Sequence, residues 1–248
     1  MQPNSAAVRE LAPTGRLRVA IALSPSPSAL FALKDAGGNY RGVTVDLGNA
    51  LARKLGAPVE FVAYKTSGEI VNAAGAGAWD VTFMPVDDER KKVIDFGSPY
   101  HLLESTYLVP AGSALRHVRD ADRAGVRIAG IANTATIRAS KRTAASASHI
   151  EAGSVDEAIE LLRAGKVDAV ALSRDSLAGL LSQVPGSRML DGAFLKSTTA
   201  VAVAKNKPAA LAYVSAFVEE AKAAGDVRRS FDAIGLTHAV VAPAGMKP

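Results

Sequence analysis

Residues 79–100 read WDVTFMPVDDERKKVIDFGSPY, and the reading of this stretch decides the fold. The apolar run Val81 to Val86 has the length and composition of a buried strand. Asp87 stands where a helix N-cap belongs, and Glu89, Arg90 and Lys91 open a short charged helix. Arg90 then lies one turn beyond a strand's carboxyl end. In an open α/β sheet that position faces the crevice where ligands bind, and a planar guanidinium there suits a carboxylate taken by two parallel hydrogen bonds. The competing reading is a solvated charge on a helix's first turn, and this segment alone leaves both open.

Upstream, Leu17 to Leu23 (LRVAIAL) follows the turn signal Pro13-Thr14-Gly15 and reads as the first strand. SPSPSALF comes next, a stiff loop whose hydroxyls, Ser24 and Ser28 among them, either make a simple turn or line a pocket. Lys34 to Asn39 is a turn. Leu47, Ala50, Leu51, Lys54 and Leu55 then fall on one helical face, with Asp46 as the expected N-cap and Gly56 as the stop. Val59 to Tyr64 is a strand, and Thr66-Ser67-Gly68-Glu69 opens a helix that ends at Gly75 and Gly77. GAGAWD lacks the third glycine of a dinucleotide loop and precedes a strand, so it reads as a helix stop. This alternation predicts a parallel, doubly wound sheet.

Downstream, Thr106 to Pro110 is an apolar run leading into a connector, after which the rhythm restarts. Val126 to Ile131 is a strand, and Asn133-Thr134-Ala135-Thr136 opens a helix. Its free amides either hold an anion or are satisfied by an ordinary cap. Ser154 to Glu157 is a capping box above the apolar stripe Val155, Ala158, Ile159 and Leu162, and Gly165 closes that helix. Val167 to Leu172 is a strand with Ser173-Arg174-Asp175 at its carboxyl end. Pro185 to Leu190 is irregular, and Thr198 to Ala204 returns as a strand. Pro208 starts a helix carrying Leu211, Val214, Phe217, Val218 and Ala221 inward. A last helix carries Val227, Phe231 and Ile234 and ends at Gly235.

Composition narrows the function classes. With 248 residues, 48% of them hydrophobic, and a mean hydropathy of +0.13, the chain can bury the core of one large or two small α/β domains. No apolar run reaches the roughly 20 residues that span a bilayer. The absence of cysteine removes disulfides and thiol chemistry, and His101, His117, His149 and His238 show no metal-ligand spacing, so neither metal nor cofactor is expected. A net charge of +5 raises nucleic acid as a partner. Scattered acidic neighbours and few aromatics argue against it; Arg116 to Arg123 and Arg138 to Arg142 read as solvated helix faces. The opening MQPNSAAVRELAPTGRL has no apolar core, so either export is absent or a signal peptide was removed.

Four stretches together resemble the type II periplasmic solute-binding proteins of family 3, receptors that feed amino-acid ABC transporters. They are GVTVDLGNALARKLG, GAWDVTFMPVDDERKKVIDFGSPY, LLRAGKVDAV and the closing pair of helices. The resemblance spans Leu17 to Gly235. It implies an α/β fold of two lobes, each a mainly parallel sheet flanked by helices, joined by two hinge crossings. Lobe 1 would be residues 1–108 plus 199–248, and lobe 2 the inserted residues 109–198. It also implies a monomer in the periplasm, or in the cytoplasm if the gene lacks a signal, that closes on a small ligand and delivers it to a transporter permease. Arg90 would grip the ligand's α-carboxylate, helped by Asn133, Thr134, Ala135 and Thr136. Ser24, Ser28, Thr66, Ser67, Met84, Pro85, Ser173 and Arg174 complete the implied ligand-binding set.

Some positions depart from the family pattern. Ser173 stands where the family usually places an aspartate for the α-ammonium. Ser28 and Thr66 stand where it places aromatic rings, and the segment from Asp80 to Arg90 is shorter. An ammonium without a carboxylate would be costly in a closed cleft, so the expectation is a small anionic or polar ligand. An α-amino acid fits if Glu69, Asp87 or Asp175 supplies the charge. The alternatives are a dehydratase-like enzyme acting on a small cyclic carboxylate, with Glu69, Asp175 and Lys196 as candidate acid or base groups, and a freestanding ligand sensor.

Overall fold

A computed structural model of the chain describes residues 5–23, 29–237 and 239–248. The chain divides into two compact units, residues 1–102 with 198–248, and residues 103–197.

The first unit opens with a helix that the sequence reading missed, α1 (Ser5–Leu11), whose Ala7 and Leu11 are buried. Strand β1 (Leu17–Ala22) follows, then a two-residue hairpin, β2 (Leu33–Lys34) and β3 (Tyr40–Arg41), around the expected turn. Helix α2 (Val43–Leu55) starts earlier than expected. Its N-cap is Gly42, and Asp46 sits inside the first turn rather than capping it. The reason is steric: Gly42 has φ 128°, and a Cβ there would lie 2.4 Å from Phe31 O, so only glycine lets the chain enter the helix at that point. Strand β4 (Val59–Tyr64), helix α3 (Ser67–Asn72), strand β5 (Val81–Pro85) and the short helix α4 (Asp88–Lys91) complete the first βαβ run.

Strand β6 (Ile94–Val109) corrects a second expectation, because the apolar run at Thr106 is the end of one sixteen-residue strand rather than a separate element. Its amino-terminal part belongs to the first unit and its remainder to the second. The second unit continues with β7 (Arg127–Ile131), α5 (Ala135–Thr143), β8 (Ser148–Ala152), α6 (Val155–Arg163), β9 (Ala169–Ser173), α7 (Arg174–Ala178) and β10 (Arg188–Met189). β8 was not anticipated; its residues SHIEA are largely exposed and carry no apolar run. At α6 the Ser154 side chain accepts from Glu157 N as expected, but the Glu157 carboxylate accepts from Gly153 N, one residue before the position a capping box uses. β11 (Leu195–Ala204) returns to the first unit, which ends with α8 (Pro208–Ala223), α9 (Asp226–Ala233) and β12 (Val240–Val241).

The two units share one winding. In the first, β1 lies between β4 and β5 and is parallel to both. In the second, β7 lies between β8 and β9 and is likewise parallel to both. Antiparallel strands flank the parallel core, β11 against β5 and β6 against β9. Period-2 alternation buries both faces of the second sheet. Ala129, Ile131, Val170 and Leu172 pack with α6 residues Ile159 and Leu162, while Ile128, Ala169 and Ala171 pack with Tyr107 and Leu190 on the other side. In the first unit Trp79, Ile70, Met84 and Ala202 form one such cluster, with Trp79 Nε1 donating to Ile70 O at 2.9 Å. Phe83 and Tyr100 contact edge to face, and Tyr100 stacks on Phe231 of α9. Each fully buried large side chain of this kind contributes about 1.5–3 kcal/mol of transfer free energy.

Each winding also carries the same ion-pair clamp at the amino ends of its strands. Asp80 Oδ2 accepts from the backbone N of Arg18 at 3.0 Å and from its Nε at 2.9 Å, and Arg18 Nη2 donates to Oδ1 at 2.7 Å. Arg127 and Asp168 repeat the arrangement at 2.8, 3.0 and 2.8 Å. The two differ in burial: the Asp80 side chain is 0% exposed and that of Asp168 39%. Removing one partner of a buried pair leaves the other charge uncompensated, whereas water screens an exposed pair. Arg18→Ala, which leaves the fully buried Asp80 carboxylate without its guanidinium, should therefore cost about 3–5 kcal/mol in denaturant unfolding, and Arg127→Ala, which leaves the exposed Asp168, clearly less.

His101 is fully buried against Phe231, ring centroids 5.1 Å apart, and burial lowers its pKa from 6.5 to about 4, with Arg228 adding to the shift. The unfolded chain therefore binds a proton that the folded chain refuses between those values. This contribution is present above pH 6.5 and is lost as pH falls toward 4, about 3 kcal/mol in all. In His101→Phe, which keeps a ring against Phe231, stability measured from pH 7 to pH 4 should fall less steeply, by about one proton's worth of slope.

Candidate functional site

In the first unit the parallel strands β4, β1 and β5 all end at one edge of the sheet, and of the expected ligand residues Thr66, Ser67, Pro85 and Arg90 stand there. Three local devices build the edge. Thr66 caps α3, its side chain accepting from Glu69 N, and the Glu69 carboxylate accepts from Lys65 N, so the loop after β4 is tied at both ends. Asp87 caps α4 and accepts from Glu89 N and Arg90 N. That cap turns the chain back so that Arg90 projects into the unit and is only 4% exposed. Arg90 Nη1 donates to Pro85 O at 2.9 Å and Nη2 to Ser67 Oγ at 2.7 Å.

The Pro85 acceptor follows from strand geometry. Val86 N bonds Thr198 O, so the neighbouring pair Pro85 and Thr199 is the non-hydrogen-bonded kind, in which the backbone groups turn away from the partner strand. Proline, with no N–H to offer, is tolerated at such a place. Pairing of β1 with β5 has already ended at Thr82, so the Pro85 carbonyl is left for the guanidinium. Met84 is 1% exposed and packs in the core, which makes its side chain a core residue; only its backbone could meet a ligand. Ser24 and Ser28 lie outside the described residues.

The second unit ends its parallel strands β8, β7 and β9 in the same manner. Asn133 has φ 60°, the left-handed conformation that asparagine tolerates, and is exposed. Thr134 caps α5: its Oγ1 accepts from Ile137 N at 3.2 Å and donates to Ile131 O at 2.8 Å. Ala135 is buried and Thr136 half-buried in the first turn. At the end of β9, Ser173 caps α7 and donates to Ser176 Oγ at 2.8 Å. Arg174 Nη2 donates to Gly192 O, and its Nε lies 3.5 Å from Glu104, which Lys196 approaches at 3.4 Å. Burial raises the pKa of Asp175; Arg174 pulls it back and Glu104 pushes it further up.

Sequence reasoning missed Glu104, Ser105 and Ser176 at this edge. Ser105 is fully buried, stands opposite Ser173 in the β6–β9 register, and its hydroxyl lies 3.4 Å from Thr136 Oγ1 in the first turn of α5. Its signal was hidden because residues 94–109 were not read as one strand.

The chain's likeness to known proteins agrees with this architecture. The family model for bacterial extracellular solute-binding proteins, family 3, matches residues 17–233. A glutamine-binding protein of Geobacillus stearothermophilus is 27% identical over 181 residues, covering 71% of this chain and 69% of that protein. An L-arginine-binding protein of Pseudomonas aeruginosa is 25% identical over 224 residues, covering 83% and 85%. Among solved structures, an ancestral amino-acid-binding protein, a precursor of cyclohexadienyl dehydratase, superposes with a TM-score of 0.79 at 27% identity, covering 91% of this chain and 98% of that one. Among the described residues no helix is long and apolar enough to cross a membrane.

The caps make different demands on different side chains. Thr134→Ala removes a hydroxyl that satisfies two backbone groups and should lower unfolding stability by about 1 kcal/mol, with Thr134→Ser close to the parent. Chemical denaturation of the three proteins checks this.

Proposed function

The chain belongs to family 3 of the bacterial extracellular solute-binding proteins, and from that premise we propose that it binds a small α-carboxylate with Arg90 as the anchor. The observation that carries this reading is the Arg90 guanidinium, buried at the carboxyl edge of a parallel sheet and held there by Pro85 O and Ser67 Oγ. A fork fixed in this way at a strand end has the geometry and charge to take a carboxylate by two parallel hydrogen bonds. The second edge supports the same reading through groups of another kind. It offers first-turn amides of α5 at Ala135 and Thr136, hydroxyls at Thr136 and Ser173, and the cation of Arg174, which suit the oxygen atoms of a polar or anionic ligand.

Amino acids, their derivatives and small organic acids all carry the required carboxylate. The named relatives bind glutamine and arginine, so α-amino acids are the first ligands to try. Ser173 brings a hydroxyl rather than a carboxylate to its position, so acids without an α-ammonium are the second. In this role the chain acts outside the cytoplasmic membrane as a monomer and hands its ligand to an ABC transporter permease, performing no chemistry itself.

A second reading rests on Asp175 alone. A half-buried carboxyl whose pKa is raised is what a general acid requires, so a dehydratase-like activity would be carried there. Glu69 and Lys196 fit that role less well, the first holding the Lys65 amide and the second an ion pair with Glu104. Incubating any ligand found with the protein and assaying for its dehydrated product separates the two readings.

Thermal-shift measurement against amino acids and small organic acids tests the anchor. A ligand at one hundred times its Kd should stabilise the parent protein by about 2.7 kcal/mol. Arg90→Ala should lose that stabilisation, and Thr134→Ala should keep most of it because the amides there belong to the backbone. Equal stabilisation of parent and Arg90→Ala would place the anchor elsewhere.

A further inference from the structure

We propose that Ser67 is a positioning residue: its hydroxyl holds the Arg90 guanidinium across the carboxyl end of β1, and carboxylate recognition depends on that hold. The proposal rests on the reading of Arg90 as the anchor and adds a residue that acts through it.

The sheet order supplies the geometry. β1 lies between β4 and β5, so Ser67, in the helix after β4, and Pro85, at the end of β5, flank the end of β1 on opposite sides. Arg90 donates to one acceptor from each side, through different terminal nitrogens. Each acceptor on a separate terminal nitrogen restricts rotation of the guanidinium in a way that the other cannot. Two acceptors on separate nitrogens fix the plane of the fork, and the plane decides whether both of its hydrogen bonds reach a carboxylate. A long arginine side chain has many rotamers to lose on binding, so ordering it beforehand raises affinity without any added ligand contact.

Ser67 is placed to do this because its own backbone is fixed. It is the first residue of α3, directly after the Thr66 cap, and the Glu69 carboxylate ties the preceding Lys65 amide. Its hydroxyl therefore sits on a held helix start rather than on a loose loop. Its nitrogen–oxygen distance to Arg90, 2.7 Å, is at the short end expected for a charged donor. The sequence separation of 23 residues shows that this is a tertiary contact, which the order of residues does not announce.

The test reads the hold directly. Nitrogen-detected NMR of the Arg90 guanidinium, assigned by its disappearance in Arg90→Lys, reports rotation about the Cζ–Nη2 bond without any ligand. Ser67→Ala should speed that rotation at least about tenfold, the loss of one hydrogen bond to a charged group, and Ser67→Thr should restore the parent rate. With L-glutamine and L-arginine as calorimetric probes, Ser67→Ala should weaken binding about tenfold and Ser67→Thr should recover it. An unchanged rotation rate in Ser67→Ala overturns the proposal, and so does a faster rotation with undiminished affinity. Because the rotation rate needs no ligand, a failure of the carboxylate reading, seen as parent-like stabilisation of Arg90→Ala, is distinguishable from a failure of this one.

Discussion

The structure depends first on the two arginine–aspartate clamps that set where parallel strands begin. Neighbouring parallel strands have no tight turn to fix their register, because a whole helix intervenes between them. Here the register is fixed by one side chain on each pair of strands. Asp80 takes both the amide and the guanidinium of Arg18, while its own amide bonds the Arg18 carbonyl. Asp168 does the same for Arg127. With the amino ends set in this way, the carboxyl ends follow at a known distance, and it is there that Arg90, Thr134 and Ser173 stand. A slip of one residue would turn every side chain of β5 to the opposite face and carry Pro85 away from the guanidinium it holds.

Much of this was legible in the residues, and the reasons differ by element. β1, β5, β7 and β9 announce themselves as short apolar runs because a parallel strand buried on both faces leaves no polar side to interrupt the pattern, while β4, at the end of the sheet, shows the alternation of a half-exposed strand in VEFVAY. The helix starts at Thr66, Asp87, Thr134 and Ser154 were readable because capping is local chemistry within four residues; the Ser173 cap and its short helix α7 were not read from the sequence. β8 was hidden because, as the outermost strand of its sheet, it keeps a polar, exposed sequence. β6 was not read as one strand, and its first half holds Gly97 and Pro99, two residues that interrupt a strand pattern. Gly97 is required instead by close packing, since a Cβ there would lie 2.4 Å from Ser215 Oγ.

The candidate site was legible in its charges and not in its connections. Arg90 could be placed at a strand end from the run Val81 to Asp87 alone. That Ser67 and Pro85 would hold it, that Ser105, opposite Ser173, would bring its hydroxyl to Thr136, and that Glu104 would gather Arg174 and Lys196 are facts of strand order and register. None of these is periodic in sequence. Met84 shows the converse: adjacent to a site residue in the chain, it faces the core because successive residues of a strand alternate sides.

The interrupted course of the first unit has a consequence for synthesis. Residues 103–197 are contiguous and can complete their fold as soon as they leave the ribosome, while the first unit must wait for residues 198–248. During that interval β5 lacks its antiparallel neighbour β11, and α8 and α9 have yet to cover the face bearing Phe83 and Tyr100. A half-made protein would then present an open strand edge and bare aromatic surface, the features that recruit chaperones and favour misassociation. The order of translation thus makes the Arg90 half of the molecule the last to mature and the more dependent on assistance while it does so.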